Sequence, residues 1–309
     1  MSDTEPTISV VIPVYNAIDT LERCITSIVQ SSIPNGDIQI VVVDDGSSDE
    51  SFTLAKSLVE NNFHSSSTVI RIDNSGACVA RNFGQQLTKA FWIVFLDADD
   101  FYVTDFILFV ARQEKSEYVI AGNYQLFNGI ATSEFKLPKS LDVKERIARG
   151  SFSVPGAFAL PRTIAERFTW SRNLVADQDG EWIGRIVFSG VSIRYFPEFG
   201  VVYSTENHNS LSKKRTLESL RSRVDSVESI LNLIEANPEY HQYKPAIAQR
   251  MDLIAFSYYA SFPEESRAIR KRAELISVGY KHAISGKKGL LRNLFGFYGA
   301  QMIIKIFER

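Results

Sequence analysis

Four β-branched apolar runs punctuate the first hundred residues, and they constrain the fold more than any other feature. They are Ile8–Val14, Gln39–Val43, Thr68–Ile72 and Phe91–Leu96. Each is continuous rather than alternating, the pattern of a strand covered on both faces. Helical periodicity fills the gaps. Asp19 opens a pattern with Leu21, Cys24, Ile25 and Ile28 on one face, and Asp19 with Glu22 fits a capping box. Ser48 is placed to cap a second helix carrying Phe52, Ala55, Leu58 and Val59, and Asn74-Ser75-Gly76 turn the chain into a third from about Cys78 to Thr88. Strand–helix alternation specifies an α/β fold with a Rossmann-type, mostly parallel sheet flanked by helices. Ligands of such sheets gather beyond the carboxyl ends of the strands. Two acidic clusters fall there: Asp44-Asp45 after the second run and Asp97-Ala98-Asp99-Asp100 after the fourth.

Signals are mixed from Tyr118 to about Thr205. Strands are expected at Tyr118–Tyr124, within Phe152–Leu160 through a Pro155-Gly156 turn, and at Val191–Phe196, with a helix at Asp179–Val187. From Thr216 onward the pattern is helical, over residues 216–234, 243–259, 264–285 and 290–307. The boundary is therefore placed near Ser210–Thr216, giving a site-bearing domain over 1–212 and a helical region over 213–309. The net charge of −2 gives no basic stripe for nucleic acid. Two cysteines, Cys24 and Cys78, make no disulfide framework, which suits a reducing cytoplasm. Neither a signal peptide nor a membrane-spanning run is expected.

The acidic clusters carry the chemistry. Asp97 and Asp99 can both face one cleft if Ala98 sits in a turn, and hard cations such as Mg²⁺ or Mn²⁺ prefer oxygen ligands of this kind. A cation bridging to a departing nucleoside diphosphate would neutralise its charge. The competing reading is a solvated loop that caps a helix. Asp44 and Asp45 can accept from a base N–H or a ribose hydroxyl, or form an Asx-turn with Gly46 and Ser47. Arg81, followed by Asn82, can pair with phosphate or with the acidic clusters, or lie on a helix surface. Asp179 and Glu181 supply a base for a reacting hydroxyl, or simply the acidic first turn of a helix. His208 is a metal or phosphate ligand or a loop residue.

These pieces, in this order, resemble the family 2 glycosyltransferases, which have the GT-A fold. The resemblance runs from about Ile8 to Ser212, about two-thirds of the chain, through five blocks. They are Ser9–Asn16, Val42–Asp49, Asn74-Ser75-Gly76 with Ala80–Gly84, Leu96–Asp100, and Gln178–Arg185. It implies inverting transfer of a sugar from a nucleotide-sugar, with UDP as the expected carrier, to an acceptor hydroxyl in cell-surface polysaccharide or glycolipid synthesis. Pro13, Tyr15, Asn16, Asp44, Asp45, Asn74, Gly76, Arg81 and Asp97 would bind the nucleotide. Asp99, Asp97 and His208 would hold a divalent cation, Mn²⁺ or Mg²⁺. Asp179 would be the general base, supported by Glu181, Trp182 and Arg185. Two departures stand out: Gln178 replaces the usual Glu before Asp179, and Tyr203-Ser204-Thr205 replaces the usual Tyr-Arg ahead of His208.

Lys287, Lys288 and Arg292 flank an apolar stretch from Leu290 to Ile306. It is too short and polar to span a bilayer. It suits either the cytoplasmic face of a membrane near a lipid-linked saccharide acceptor, or packing on the main domain or a second subunit. Two rival functions are a non-catalytic nucleotide-sugar-binding component of an assembly complex and an aspartate-dependent phosphatase. The sequence has neither the Gly-x-Gly-x-x-Gly of a dehydrogenase after its first strand nor a P-loop.

Overall fold

The computed structural model describes residues 5–31, 33, 37–63, 66–103, 105–134, 143–150, 154–206, 215–282 and 286–307. The chain forms two compact units, one of residues 1–139, 154–172 and 190–208, the other of residues 140–153, 173–189 and 209–309.

The first unit is an α/β layer structure built on nine strands among the described residues. They are β1 (Ile8–Val14), β2 (Ile38–Asp44), β3 (Thr68–Arg71), β4 (Trp92–Phe95), β5 (Phe101–Tyr102), β6 (Tyr118–Phe127), β7 (Thr132–Glu134), β8 (Phe158–Pro161) and β9 (Ser192–Ser204). Their order is β3-β2-β1-β4-β8-β6-β9-β5, with β7 paired to β6. The first four strands are mutually parallel, β8 is antiparallel to both β4 and β6, and β6 runs parallel to β9. All seven residues of β2 are buried, so both faces of the sheet are covered there, as the unbroken apolar runs require.

Helices α1 (Leu21–Val29), α2 (Ser51–Asn62), α3 (Ala77–Gln86), α4 (Phe106–Ala111) and α6 (Arg162–Arg167) supply that cover. α3 lies on β1 and β2. A Cβ at Gly84 would come within 2.5 Å of the Val11 side chain and 3.1 Å of that of Val43, so the helix seats directly on the sheet. The expected caps are not found. Thr20, not Asp19, precedes α1 and makes no side-chain cap bond, and Glu50 precedes α2. Ser48 instead donates its backbone N–H to Asn16 Oδ1 at 2.8 Å, tying together the loops after β1 and β2.

The second unit is helical: α5 (Val143–Ala148), α7 (Gln178–Val187), α8 (Leu217–Ala236), α9 (Lys244–Tyr258), α10 (Pro263–Ile276) and α11 (Gly286–Phe307). It takes in α5 and α7, which a single cut near 212 assigns to the first domain. The reason is packing. α7 buries Trp182, Ile183, Ile186 and Val187, and Ile230 of α8 lies 2.4 Å from where a Cβ would stand at Gly184. α10 ends at Ile276, and α11 is kinked at Gly296, whose φ of 68° and ψ of −176° only glycine adopts readily. Among the described residues no helix is long and apolar enough to cross a membrane.

Candidate active site

The loops after β1, β2 and β4, and the one joining β3 to α3, leave the same edge of the sheet, because these four strands are parallel and in register. Sequence order thus brings Tyr15, Asp45, Gly76 and Asp97 to a common edge.

Each acidic residue there has a distinct role. Asp44 is fully buried; its Oδ2 accepts from Arg71 Nε at 2.6 Å and from the Ser47 N–H at 3.2 Å. That carboxylate braces the turn. Asp45 is also buried, and its two oxygens accept the backbone N–H groups of Ser75 and Gly76 at 2.7 and 2.8 Å. Gly76 precedes α3 with φ of 92°, so Asp45 serves the amino end of that helix from another loop. Two hydrogen bonds leave a carboxylate with further lone pairs for a ligand donor. Tyr15 and Asn74 are exposed, as is Asn16, whose φ is 48°. Pro13 is half-buried in β1.

Beyond β4, Asp97 and Asp99 differ from each other. Asp97 Oδ1 accepts from Arg81 Nη2 at 2.5 Å, and the Arg81 guanidinium lies 4.3 Å from the Trp170 ring centroid. Arg81 is therefore a buried helix residue aimed at the acidic loop. Burial, then the neighbouring Asp97 carboxylate, push Asp99 up to about 6. Asp100 is buried and accepts the Ser204 N–H at 2.9 Å, fastening the loop to β9. Both cysteines are buried and in no disulfide; the Cys24 thiol donates to the Asp97 carbonyl at 3.6 Å.

A hard divalent cation fits this pair. Ionised Asp99 is disfavoured by its surroundings, and a dication beside Asp97 and Asp99 would remove that penalty. No group of three or more His, Cys, Asp or Glu suited to a metal occurs among the described residues. Two carboxylates with substrate phosphates and water completing the shell is the Mg²⁺-like arrangement. His208 lies outside the described residues.

In the second unit, Asp179 stands half-buried in the first turn of α7. Asp177 precedes it with φ of 60°, held by Arg250, which also donates to the Ile147 carbonyl at 3.0 Å, and by Ser226 Oγ at 2.8 Å. Glu181 is buried against Arg185 at 2.6 Å and Ser229 at 3.1 Å, and Trp182 is fully buried. These neighbours fix the helix start on which Asp179 stands. Sequence reasoning missed Arg23, Arg71, Trp170 and Arg250; each acts through a partner distant in sequence, which no local spacing signals.

Residues 9–164 match the family described as Glycosyl transferase family 2. The chain belongs to that family. Among its curated relatives, glycosyltransferase GlyA of Streptococcus pneumoniae is 34% identical over 123 residues, covering 39% of this chain and 17% of GlyA. A poly(ribitol-phosphate) β-glucosyltransferase of Bacillus spizizenii is 31% identical over 134 residues, covering 42% of this chain and 21% of the relative. The matched segment thus spans about a fifth of the length of these two proteins. Among solved structures, S. aureus TarS in complex with UDP-GlcNAc superposes with a TM-score of 0.68 at 16% identity, covering 86% of this chain and 79% of that one. At that identity the likeness establishes the fold, a GT-A type as the family 2 resemblance implies, with the helical C-terminal region expected from the periodicity beyond Thr216.

Proposed function

We propose that this family 2 member transfers a sugar from a nucleoside diphosphate sugar, with UDP as carrier, to an acceptor hydroxyl, inverting the anomeric carbon. The single observation that carries this reading is the pairing, on one sheet edge, of a braced Asp45 with the Asp97 and Asp99 carboxyls, Asp97 being held by Arg81. Asp45 with Tyr15, Asn16 and Asn74 would receive the base and ribose. Arg81 would hold Asp97 in place beside the diphosphate. When bound by Asp97 and Asp99, Mn²⁺ or Mg²⁺ would supply charge neutralisation for the departing diphosphate.

Asp179 is our choice of general base. It would take the proton of the acceptor hydroxyl as that oxygen bonds to the anomeric carbon and the bond from that carbon to the diphosphate oxygen breaks. Gln178 stands where the family's base block usually carries a Glu beside this Asp. The poly(ribitol-phosphate) transferase among the relatives supports an acceptor in cell-surface polysaccharide assembly. We place the reaction on the cytoplasmic side of a membrane, with the α11 region as the segment that meets the membrane surface or a second subunit. Calorimetry against a panel of nucleotide-sugars, with Mn²⁺ and with chelator, tests the donor reading. Binding of at least one UDP-sugar that weakens on chelation is expected; no binding by any member of the panel would overturn it.

A further inference from the structure

Arg23 lies on α1, outside every motif block, yet it reaches the acidic loop. Its Nη2 donates to the Asp99 carbonyl at 3.1 Å and to Glu206 Oε2 at 2.7 Å. The guanidinium carbon sits 4.6 Å from the Phe101 ring centroid and 5.1 Å from that of Phe127, and these two rings meet edge to face. Glu206, just past the end of β9, also accepts from Ser204 Oγ at 2.9 Å. One guanidinium thus joins α1, the loop after β4, β5, β6 and the end of β9, all within the first unit.

The contact on Asp99 is informative: Arg23 hydrogen-bonds the Asp99 carbonyl and the Glu206 carboxylate, and acts on the Asp99 carboxylate through space only. Arg81 already occupies one oxygen of Asp97, and a second guanidinium bonded to the Asp99 carboxylate would take a further oxygen from a cation. Held between two rings and bonded to Glu206, Arg23 fixes the loop without consuming its metal-ligating group.

We propose that Arg23 and Glu206 form a positioning pair for the donor site: Arg23 pins the Asp97–Asp99 loop through its backbone, and Glu206 keeps Arg23 off the Asp99 carboxylate. This rests on the reading of Asp97 and Asp99 as cation ligands. It predicts an asymmetry that a merely structural ion pair would not give. In Glu206→Gln, Arg23 loses its carboxylate partner and turns a second guanidinium nitrogen to the Asp99 carboxylate while Nη2 keeps the carbonyl, and Mn²⁺ affinity measured by calorimetry with UDP present falls about tenfold, the scale of one charge-assisted contact. In the double variant Arg23→Gln with Glu206→Gln that competitor is gone, and Mn²⁺ binds more tightly than in Glu206→Gln alone. Affinity within about twofold of wild type in Glu206→Gln, or a double variant no tighter than Glu206→Gln, overturns the proposal.

Hydrogen exchange in the metal-free protein separates this from failure of the donor reading. Arg23→Gln and the milder Arg23→Lys should both speed exchange in residues 96–102, while Glu206→Gln leaves it near wild type because the carbonyl contact persists. Lys keeps the charge but cannot hold a carbonyl, a carboxylate and two rings together. If wild-type protein binds no Mn²⁺ with UDP, the cation reading fails and with it the role given to Glu206. Unchanged exchange in both Arg23 variants removes the pin itself.

Discussion

Asp45→Ala should weaken the first unit before it affects any ligand, and the size of the effect can be worked out. Its carboxylate accepts two backbone N–H groups, from Ser75 and Gly76, at 2.7 and 2.8 Å, and is itself buried. A hydrogen bond to a charged group contributes about 1.5–3 kcal/mol net, so two give roughly 3–6 kcal/mol. Ser75 and Gly76 are exposed, so water can replace part of what alanine removes, which places the loss at the low end, about 3 kcal/mol. Against a typical total of about 5–15 kcal/mol this is a large fraction. Asp45→Asn keeps one acceptor oxygen but turns an NH₂ toward the second amide, so roughly half the loss is expected. Urea-dependent hydrogen exchange of peptides covering β1 to β4 reads the stability of this unit. A loss below about 1 kcal/mol in Asp45→Ala, within the range of an ordinary surface substitution, would refute the bracing argument and leave Asp45 as a ligand group alone.

Asp179→Asn should leave UDP affinity within about twofold and cut turnover roughly 10²–10⁴-fold; full turnover would remove Asp179 as base. Asp99→Ala should abolish the tightening of UDP binding by Mn²⁺, read by calorimetry with and without chelator. Asp99, raised from the usual carboxylate range to about 6, binds its proton more tightly folded than unfolded, so its contribution to stability is present below about pH 4 and fades as pH rises through 6. Cation binding runs the opposite way: Mn²⁺ affinity should increase from pH 5 to 7, with proton release on binding largest near or below pH 6; a flat profile counts against Asp99 as ligand. Arg250→Met removes the guanidinium from the half-buried Asp177 carboxylate at the start of α7 and leaves it Ser226 Oγ, so the second unit should lose about 1–3 kcal/mol, read by hydrogen exchange of the α7 peptides.

The parallel core was legible because its strands are buried on both faces. Ile8–Val14 reads as a strand from its own residues, and the common edge for Asp45 and Asp97 follows from strand direction alone. What local pattern could not convey was partnership over distance. Asp45 reads as a turn residue beside Ser48, yet it serves Ser75 and Gly76 thirty residues on. Arg81 reads equally as a surface residue, and only Trp170 and Asp97 decide that it is buried. The caps at Asp19 and Ser48 failed for a related reason: the two loops satisfy each other through Asn16, Ser47 and Ser51, so local capping gave way to cross-loop bonding. Assignment of α5 and α7 to the helical unit depended on tertiary packing that periodicity does not encode.

The seating of α3 has a consequence for the whole donor edge. Gly84 meets the sheet at the Val11 and Val43 side chains, and Arg81 is one turn away on the same helix. Even a methyl group at 84 would have to lift the helix, and the lift would carry Arg81 away from Asp97 while pulling the Ser75 and Gly76 amides off Asp45. Two recognition loops thus share one mechanical datum, the thickness of a hydrogen atom between a helix and its floor.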